Sequence, residues 1–195
     1  MSDPLWTSAE IAAATGGRLE GQAFTVDGVS IDTRSIEPGD LFVALAGVRD
    51  GHEFVPQALA AGAAASLAAK PVEGAGILVA DTFKALEKLG EAARERAPQV
   101  RRGAVTGSVG KTSVTQAIRA GLERAGRAHS SVKSYNNHIG VPLTLARMPR
   151  DTERAVFEVG MNHADEIVPL SRMIAPEVAL ITTVGFILSC TLCYA

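Results

Sequence analysis

The chain has 195 residues, 47% hydrophobic and 21% charged, with a formal net charge of −2 and no long run of either sign. That balance describes a globular protein with a real core, and it excludes the basic footprint of a nucleic-acid or anionic-membrane binder. The N-terminus, MSDPLWTSAE, lacks the basic-then-apolar pattern of a secretory signal. Cys190 and Cys193 both fall near the C-terminus, so the body of the chain has no disulfide framework, and a reducing, cytoplasmic setting is expected.

Two blocks follow one another. In the first, spanning residues 1–98, Ser8 to Thr15 is predicted as a short helix stopped by Gly16 and Gly17, and Gly28 to Ile31 as a short strand. Pro38–Gly39 turns the chain into a buried strand over Asp40 to Leu45, and Glu53 to Ala61 is predicted as a helix ended by Gly62. Two strands are expected over Ala63 to Ala68 and Ile77 to Ala80. Asp81 then caps a helix with Leu86, Leu89 and Ala93 along one face, and Pro98 stops it.

The second block, residues 99–185, alternates strand and helix. Strands are expected at Gly103 to Thr106, His129 to Val132, Ala155 to Val159 and Val178 to Val184. Helices are expected from Thr112 to the stop at Gly126, from Pro142 to Arg147 and from Ala164 to Ile174. The predicted class is α/β: a small N-terminal α/β domain, then an incomplete P-loop-type parallel sheet with flanking helices.

The strongest chemical signal is TGSVGKTS, Thr106 to Ser113, between a predicted strand and an amphipathic helix. Gly107 and Gly110 let the backbone bend so that N–H groups, including those of Ser108 and Val109, converge on phosphate oxygens. The helix that begins near Lys111 adds the positive end of its dipole. Lys111 is suited to neutralising the outer phosphates and the Thr112 hydroxyl to ligating Mg²⁺. The usual phosphate loop is G-x-x-x-x-G-K-[ST]; here Val105 stands at the first glycine position, and Gly107 makes a tighter G-x-x-G-K-T. An ordinary strand-to-helix turn carrying Lys–Thr is the plain alternative.

This shortened loop resembles that of the Mur ligases, which add amino acids to the peptidoglycan precursor. YNNHIGVPLTL (Tyr135 to Leu145), FEVGMNHADEI (Phe157 to Ile167) and SIDTRSIEPGDLFVALAGVRDGHEFV (Ser30 to Val55) are similar to further motifs of that family. The resemblance implies an ATP- and Mg²⁺-dependent ligase joining D-alanyl-D-alanine to UDP-MurNAc-tripeptide through an acyl phosphate. It assigns Gly107, Ser108, Val109, Gly110, Lys111, Thr112, Ser113, Asn136 and Asn137 to ATP, with Lys111 and Asn137 catalytic. Thr112 and Glu158 would hold the metal, and a metal partner would also offset the cost of a carboxylate in an apolar strand. Ser30, Asp32, Thr33 and Arg34 would contact the uridine nucleotide, with Asp50, Gly51 and His52 nearby. His138, His163 and Glu166 carry no assigned role.

In the family, TTVG is followed by a histidine, a glycine-containing loop and a C-terminal domain. Here Thr182 to Gly185 runs into FILSCTLCYA, residues 186–195, which matches none of these. A frameshift, truncation or artefactual end is expected, and with it no amide formation by the 195-residue chain alone. The uncharged stretch Val178 to Ala195 is expected to be core strand plus tail, not a membrane span, and Cys190-x-x-Cys193 no metal or redox site. An exposed sheet edge with an apolar tail would make the polypeptide prone to aggregation. The alternatives left open are a fragment that only binds nucleotide, the related ligase that adds the third amino acid, and an unrelated P-loop kinase or GTPase.

Overall fold

A computed structural model describes residues 3–47, 49–131, 135–161 and 166–185. The chain divides into two compact units, Met1–Pro98 with Pro142–Thr152, and Gln99–Val141 with Glu153–Ala195. The expected strand end at Val132, the helix start at Ala164, His163 and residues 186–195 with Cys190 and Cys193 lie outside the described residues. No helix among the described residues is long and apolar enough to cross a membrane.

In the first unit the elements run β1 (Trp6–Thr7), α1 (Ser8–Thr15), β2 (Arg18–Glu20), β3 (Thr25–Val26), β4 (Gly28–Ser30), β5 (Asp40–Val43), α2 (Val55–Ala60), β6 (Ala65–Ala68), β7 (Gly76–Leu78) and α3 (Thr82–Glu95). The five-stranded sheet has the order β2-β7-β6-β5-β4, parallel except for β2, while β1 and β3 form a separate antiparallel pair. The very short β1, β2 and β3 escape sequence reading, because two or three residues show no alternation. Local chemistry sets the helix starts. Thr7 and Glu10 close a reciprocal capping box on α1, and the Asp81 carboxylate accepts from the Lys84 N–H to start α3. The helix expected over Glu53 to Ala61 is instead a 3₁₀ turn, Gly51–Phe54, followed by α2, whose first turn holds Pro56, where no N–H is needed.

Along the rest of the chain β8 (Arg101–Thr106), α4 (Lys111–Glu123), β9 (Ala128–Ser130), α5 (Gly140–Ala146), β10 (Arg154–Glu158), α6 (Ile167–Ile174) and β11 (Val178–Ile181) follow in order, all in the second unit except α5, which from Pro142 onward belongs to the first. The four strands are all parallel, in the order β11-β8-β10-β9. This is the α/β architecture with a P-loop-type parallel sheet that the alternation predicts. β11 is exposed along its length, with Val178 at 66% and Ile181 at 62%.

One segment departs from the sequence division. Pro142–Thr152, read as part of the second block, packs with the first unit. Its buried Leu143, Leu145 and Met148 supply the apolar reason, and a Cβ on Gly90 of α3 would stand 3.0 Å from the Pro142 carbonyl oxygen. Trp6 Nε1 donates to the Ala146 carbonyl at 2.9 Å, and the Arg96 guanidinium lies 3.6 Å from the Trp6 ring centroid. Arg96 also donates to the carbonyls of Leu5 at 2.7 Å and Met148 at 3.0 Å, so one cation ties three distant stretches together. Burial, joined by the nearby Arg150 cation, pushes its pKa down to about 10.

Arg96→Met keeps the apolar stem but leaves two buried carbonyls without their donor. It should cost about 3 kcal/mol in urea unfolding. Glu10 supplies a pH test. Burial alone would raise its pKa, but hydrogen bonds from Arg150 and from the Thr7 N–H and hydroxyl together hold it below the ordinary 4.5. A carboxyl depressed in the folded state stabilises above its unfolded pKa, and that stability is lost as pH falls through the folded value. Glu10→Gln should therefore lower the thermal midpoint at pH 7, with the difference from wild type vanishing in acid.

Candidate functional site

β8 ends at Thr106, whose hydroxyl donates to the Val159 carbonyl at 3.0 Å, and the chain enters the loop through Gly107 at φ +133°. Gly110, at φ +85°, stands at the N-cap position just before α4 and has no side chain with which to cap it. Both angles lie where side chains are disfavoured, so the tight bend needs glycine at these two positions. The first N–H groups of α4, the positive end of a 13-residue helix, thus open on the loop without a side-chain acceptor at the cap. Lys111 folds back so that its Nζ donates to the Gly107 carbonyl at 2.8 Å. Val109 is exposed at the tip, as is Ser113 in the first turn of the helix.

Glu158 joins the loop to the sheet. It ends β10, pairs in register with Val105 of β8 and is 1% exposed. Its Oε2 accepts from the Thr112 hydroxyl at 2.9 Å and its Oε1 from Asn136 Nδ2 at 2.7 Å. A metal is therefore not needed to offset the cost of this buried carboxylate, since two protein donors already meet it. A hydroxyl has one hydrogen and two lone pairs, so a Thr112 oxygen that donates to Glu158 still offers electron density to a cation. Among the described residues no cluster of three His, Cys, Asp or Glu side chains is suited to a metal. The paired oxygens of Thr112 and Glu158 are hard donors of the kind Mg²⁺ takes when phosphate and water complete its shell.

The asparagines are both engaged with protein. The Asn136 carbonyl accepts from Gly160 N at 2.6 Å, and Asn137 Oδ1 accepts from the N–H groups of Ile139 at 3.1 Å and Gly140 at 2.8 Å. Asn137 thus shapes the entry to α5, and Asn136 orients Glu158.

In the first unit an open cavity of about 530 Å³ is lined by Asp32, Thr33, Arg34, Arg49, Gly51 and Phe54 among others. Arg34 pairs with Asp32 through its Nε at 2.9 Å and its Nη2 at 2.6 Å, while Arg49 lies 4.8 Å from the Phe54 ring centroid. Ser30 is buried, and its hydroxyl donates to the Asp32 carbonyl at 3.1 Å, so it closes the turn that presents the other three. Gly51 reaches the cavity, whereas His52 turns inward. The Ala69 N–H donates to His52 Nε2 at 2.8 Å, which leaves the proton on Nδ1, 2.5 Å from Asp50. Lys70 and then His52 hold the Asp50 carboxyl well below the usual carboxylate range. Arg49 and Phe54 were missed from sequence; the short spacing of a cation and an aromatic was the available signal.

The family described as the Mur ligase middle domain matches residues 105–186, and that described as the Mur ligase family catalytic domain matches residues 25–113. The UDP-N-acetylmuramoyl-tripeptide–D-alanyl-D-alanine ligase of Bacillus subtilis is 42% identical over 183 residues, 91% of this chain and 40% of that protein. A crystal structure of MurF from Acinetobacter baumannii superposes with a TM-score of 0.80 at 34% identity, covering 92% of this chain and 41% of the other. The MurF ligase of Thermotoga maritima in complex with ADP gives a TM-score of 0.64 at 29% identity, covering 81% and 38%. The chain thus spans about two fifths of the length of the curated relatives it matches. With the two family matches together running from residue 25 to residue 186, the chain belongs to the Mur ligase family.

Proposed function

We propose that this chain carries the nucleotide- and precursor-binding parts of an ATP-dependent ligase that joins D-alanyl-D-alanine to UDP-MurNAc-tripeptide. The observation that carries the proposal is the Lys111–Thr112–Glu158 grouping at the mouth of a shortened phosphate loop. The relatives' names supply the two substrates, and the ADP in the Thermotoga structure supports a nucleotide at this loop.

In this reading the N–H groups opening α4 bind the phosphates, and Lys111 leaves the Gly107 carbonyl to neutralise the outer ones. Thr112 and Glu158 would hold Mg²⁺, which would supply charge neutralisation at the phosphates. Asn136 keeps Glu158 aimed, and Asp32, Thr33 and Arg34 bind the uridine nucleotide in the cavity of the first unit. The γ-phosphoryl group passes from ATP to the terminal carboxylate of the tripeptide, releasing ADP. The amine of D-alanyl-D-alanine then attacks the acyl carbon, and phosphate leaves as the amide forms. Such chemistry asks for position and charge, not a protein nucleophile.

A second reading, for these 195 residues assayed by themselves, is nucleotide binding without turnover. One assay separates the two: amide formation from ATP, UDP-MurNAc-tripeptide and D-alanyl-D-alanine. Turnover abolished by Lys111→Ala supports the ligase reading, and Mg·ADP binding without turnover supports the second. In either case calorimetry should show preference for ADP over GDP, and Lys111→Ala should weaken ADP at least tenfold, the loss of one charge-assisted contact. Asp32→Ala should spare ADP and weaken the uridine precursor. Equal affinity for GDP would overturn both readings in favour of an unrelated P-loop protein.

A further inference from the structure

We propose that Thr182 is a positioning residue for the phosphate loop, acting through the plane of the Val109–Gly110 peptide. The proposal rests on the reading of this loop as a polyphosphate site and adds a residue outside the loop on which its shape depends.

Beyond the end of β11 the chain continues along the loop as a strap. Thr182 N donates to the Thr106 carbonyl at 2.9 Å, and Ser108 N donates to the Thr183 carbonyl at 2.8 Å. Gly185 N then donates to the Ser108 hydroxyl at 3.0 Å. Among these backbone contacts one side chain reaches into the loop. The Thr182 hydroxyl donates to the Val109 carbonyl at 2.6 Å, with the Thr106 carbonyl farther off at 3.3 Å. A Cβ on Gly107 would stand 2.2 Å from that hydroxyl oxygen, so the glycine is also what lets Thr182 approach.

No described peptide bond is cis, and in a trans peptide the C=O and the next N–H point in opposite directions. A Val109 carbonyl held toward Thr182 therefore turns the Gly110 N–H away from the strap. Little else fixes this plane, since the Val109 side chain is 73% exposed and Gly110 tolerates many backbone angles. The same rule acts two peptides earlier, at Gly107–Ser108, with the opposite sense. The Gly107 carbonyl takes Lys111 Nζ, and the Ser108 N–H is turned onto Thr183. The loop is thus divided: the Ser108 N–H serves the strap, and the Gly110 N–H faces the side on which α4 opens.

The test uses the full chain with ADP as the probe, followed by calorimetry and by ¹⁵N–¹H NMR of the loop amides. In wild type, ADP should shift the Gly110 amide downfield and leave the Ser108 amide nearly unmoved. Thr182→Val, which keeps the β-branched shape and removes the hydroxyl, should weaken ADP about fivefold, the scale of one lost neutral hydrogen bond, and abolish the Gly110 shift. Thr182→Ser should restore both. A purely structural role would lower the thermal midpoint without touching the Gly110 response. Unchanged ADP affinity in Thr182→Val, failure of Thr182→Ser to rescue, or a wild-type shift at Ser108 instead of Gly110 would each overturn the proposal. Should wild type bind no ADP at all, the phosphate-site reading itself falls, and this inference with it.

Discussion

A carboxylate inside a parallel sheet is among the costlier things a fold can hold, and Glu158 sits there at 1% exposure between buried Phe157 and Val159. Two donors make it tolerable, the Thr112 hydroxyl and the Asn136 amide, and they come from stretches 46 and 22 residues away. Meeting that one group therefore fixes where three segments of the second unit lie. β10 must run beside β8 with Glu158 opposite Val105, the phosphate loop must turn back at that level, and the chain at Asn136 must cross the strand end. Asn136 reinforces the crossing by accepting from Gly160 N.

The two units treat helix starts differently, and the difference marks the chemistry. In the first unit α1 begins at Thr7 and α3 at Asp81, each of which satisfies an orphan N–H with its own side chain. The cap of α4 is Gly110, which has nothing to offer, so an anion in the loop meets groups that α1 and α3 satisfy internally. The loop nonetheless stays ordered because its carbonyls are used: Gly107 by Lys111, Val109 and Thr106 by Thr182. Its donors and acceptors have thus been sorted, with acceptors turned to protein and the helix-end donors turned outward.

Much of this was legible in the sequence where one residue type has one physical use. Gly107, Gly110, Lys111 and Thr112 between a strand and an amphipathic helix announce a phosphate loop, and the alternation after Arg101 announces a parallel sheet. Asp81 as a cap and Gly16 as a stop are equally plain. What stayed hidden depends on distant partners. Nothing local says that Pro142–Thr152 belongs with Trp6 and Arg96, because the tie is made of carbonyls and a ring far away in the chain. Ser30 and His52 resemble ligand residues in the one-dimensional pattern, yet burial turns them to internal work. Asn136 and Asn137 look interchangeable, and only the fold separates the one that orients a carboxylate from the one that caps a turn. Thr182 gave no signal at all, since a threonine at a strand end is commonplace.

Thr112 and Glu158 are proposed to form the protein's half of a metal–nucleotide site. This role is tested most directly by titrating Mn²⁺, as a paramagnetic substitute for Mg²⁺, into the chain with ADP present and following water-proton relaxation. Enhancement is expected in wild type, with at least a tenfold loss of Mn²⁺ affinity in Glu158→Gln, whose amide keeps the shape but not the charge. An unaltered Mn²⁺ affinity in that variant would contradict this role.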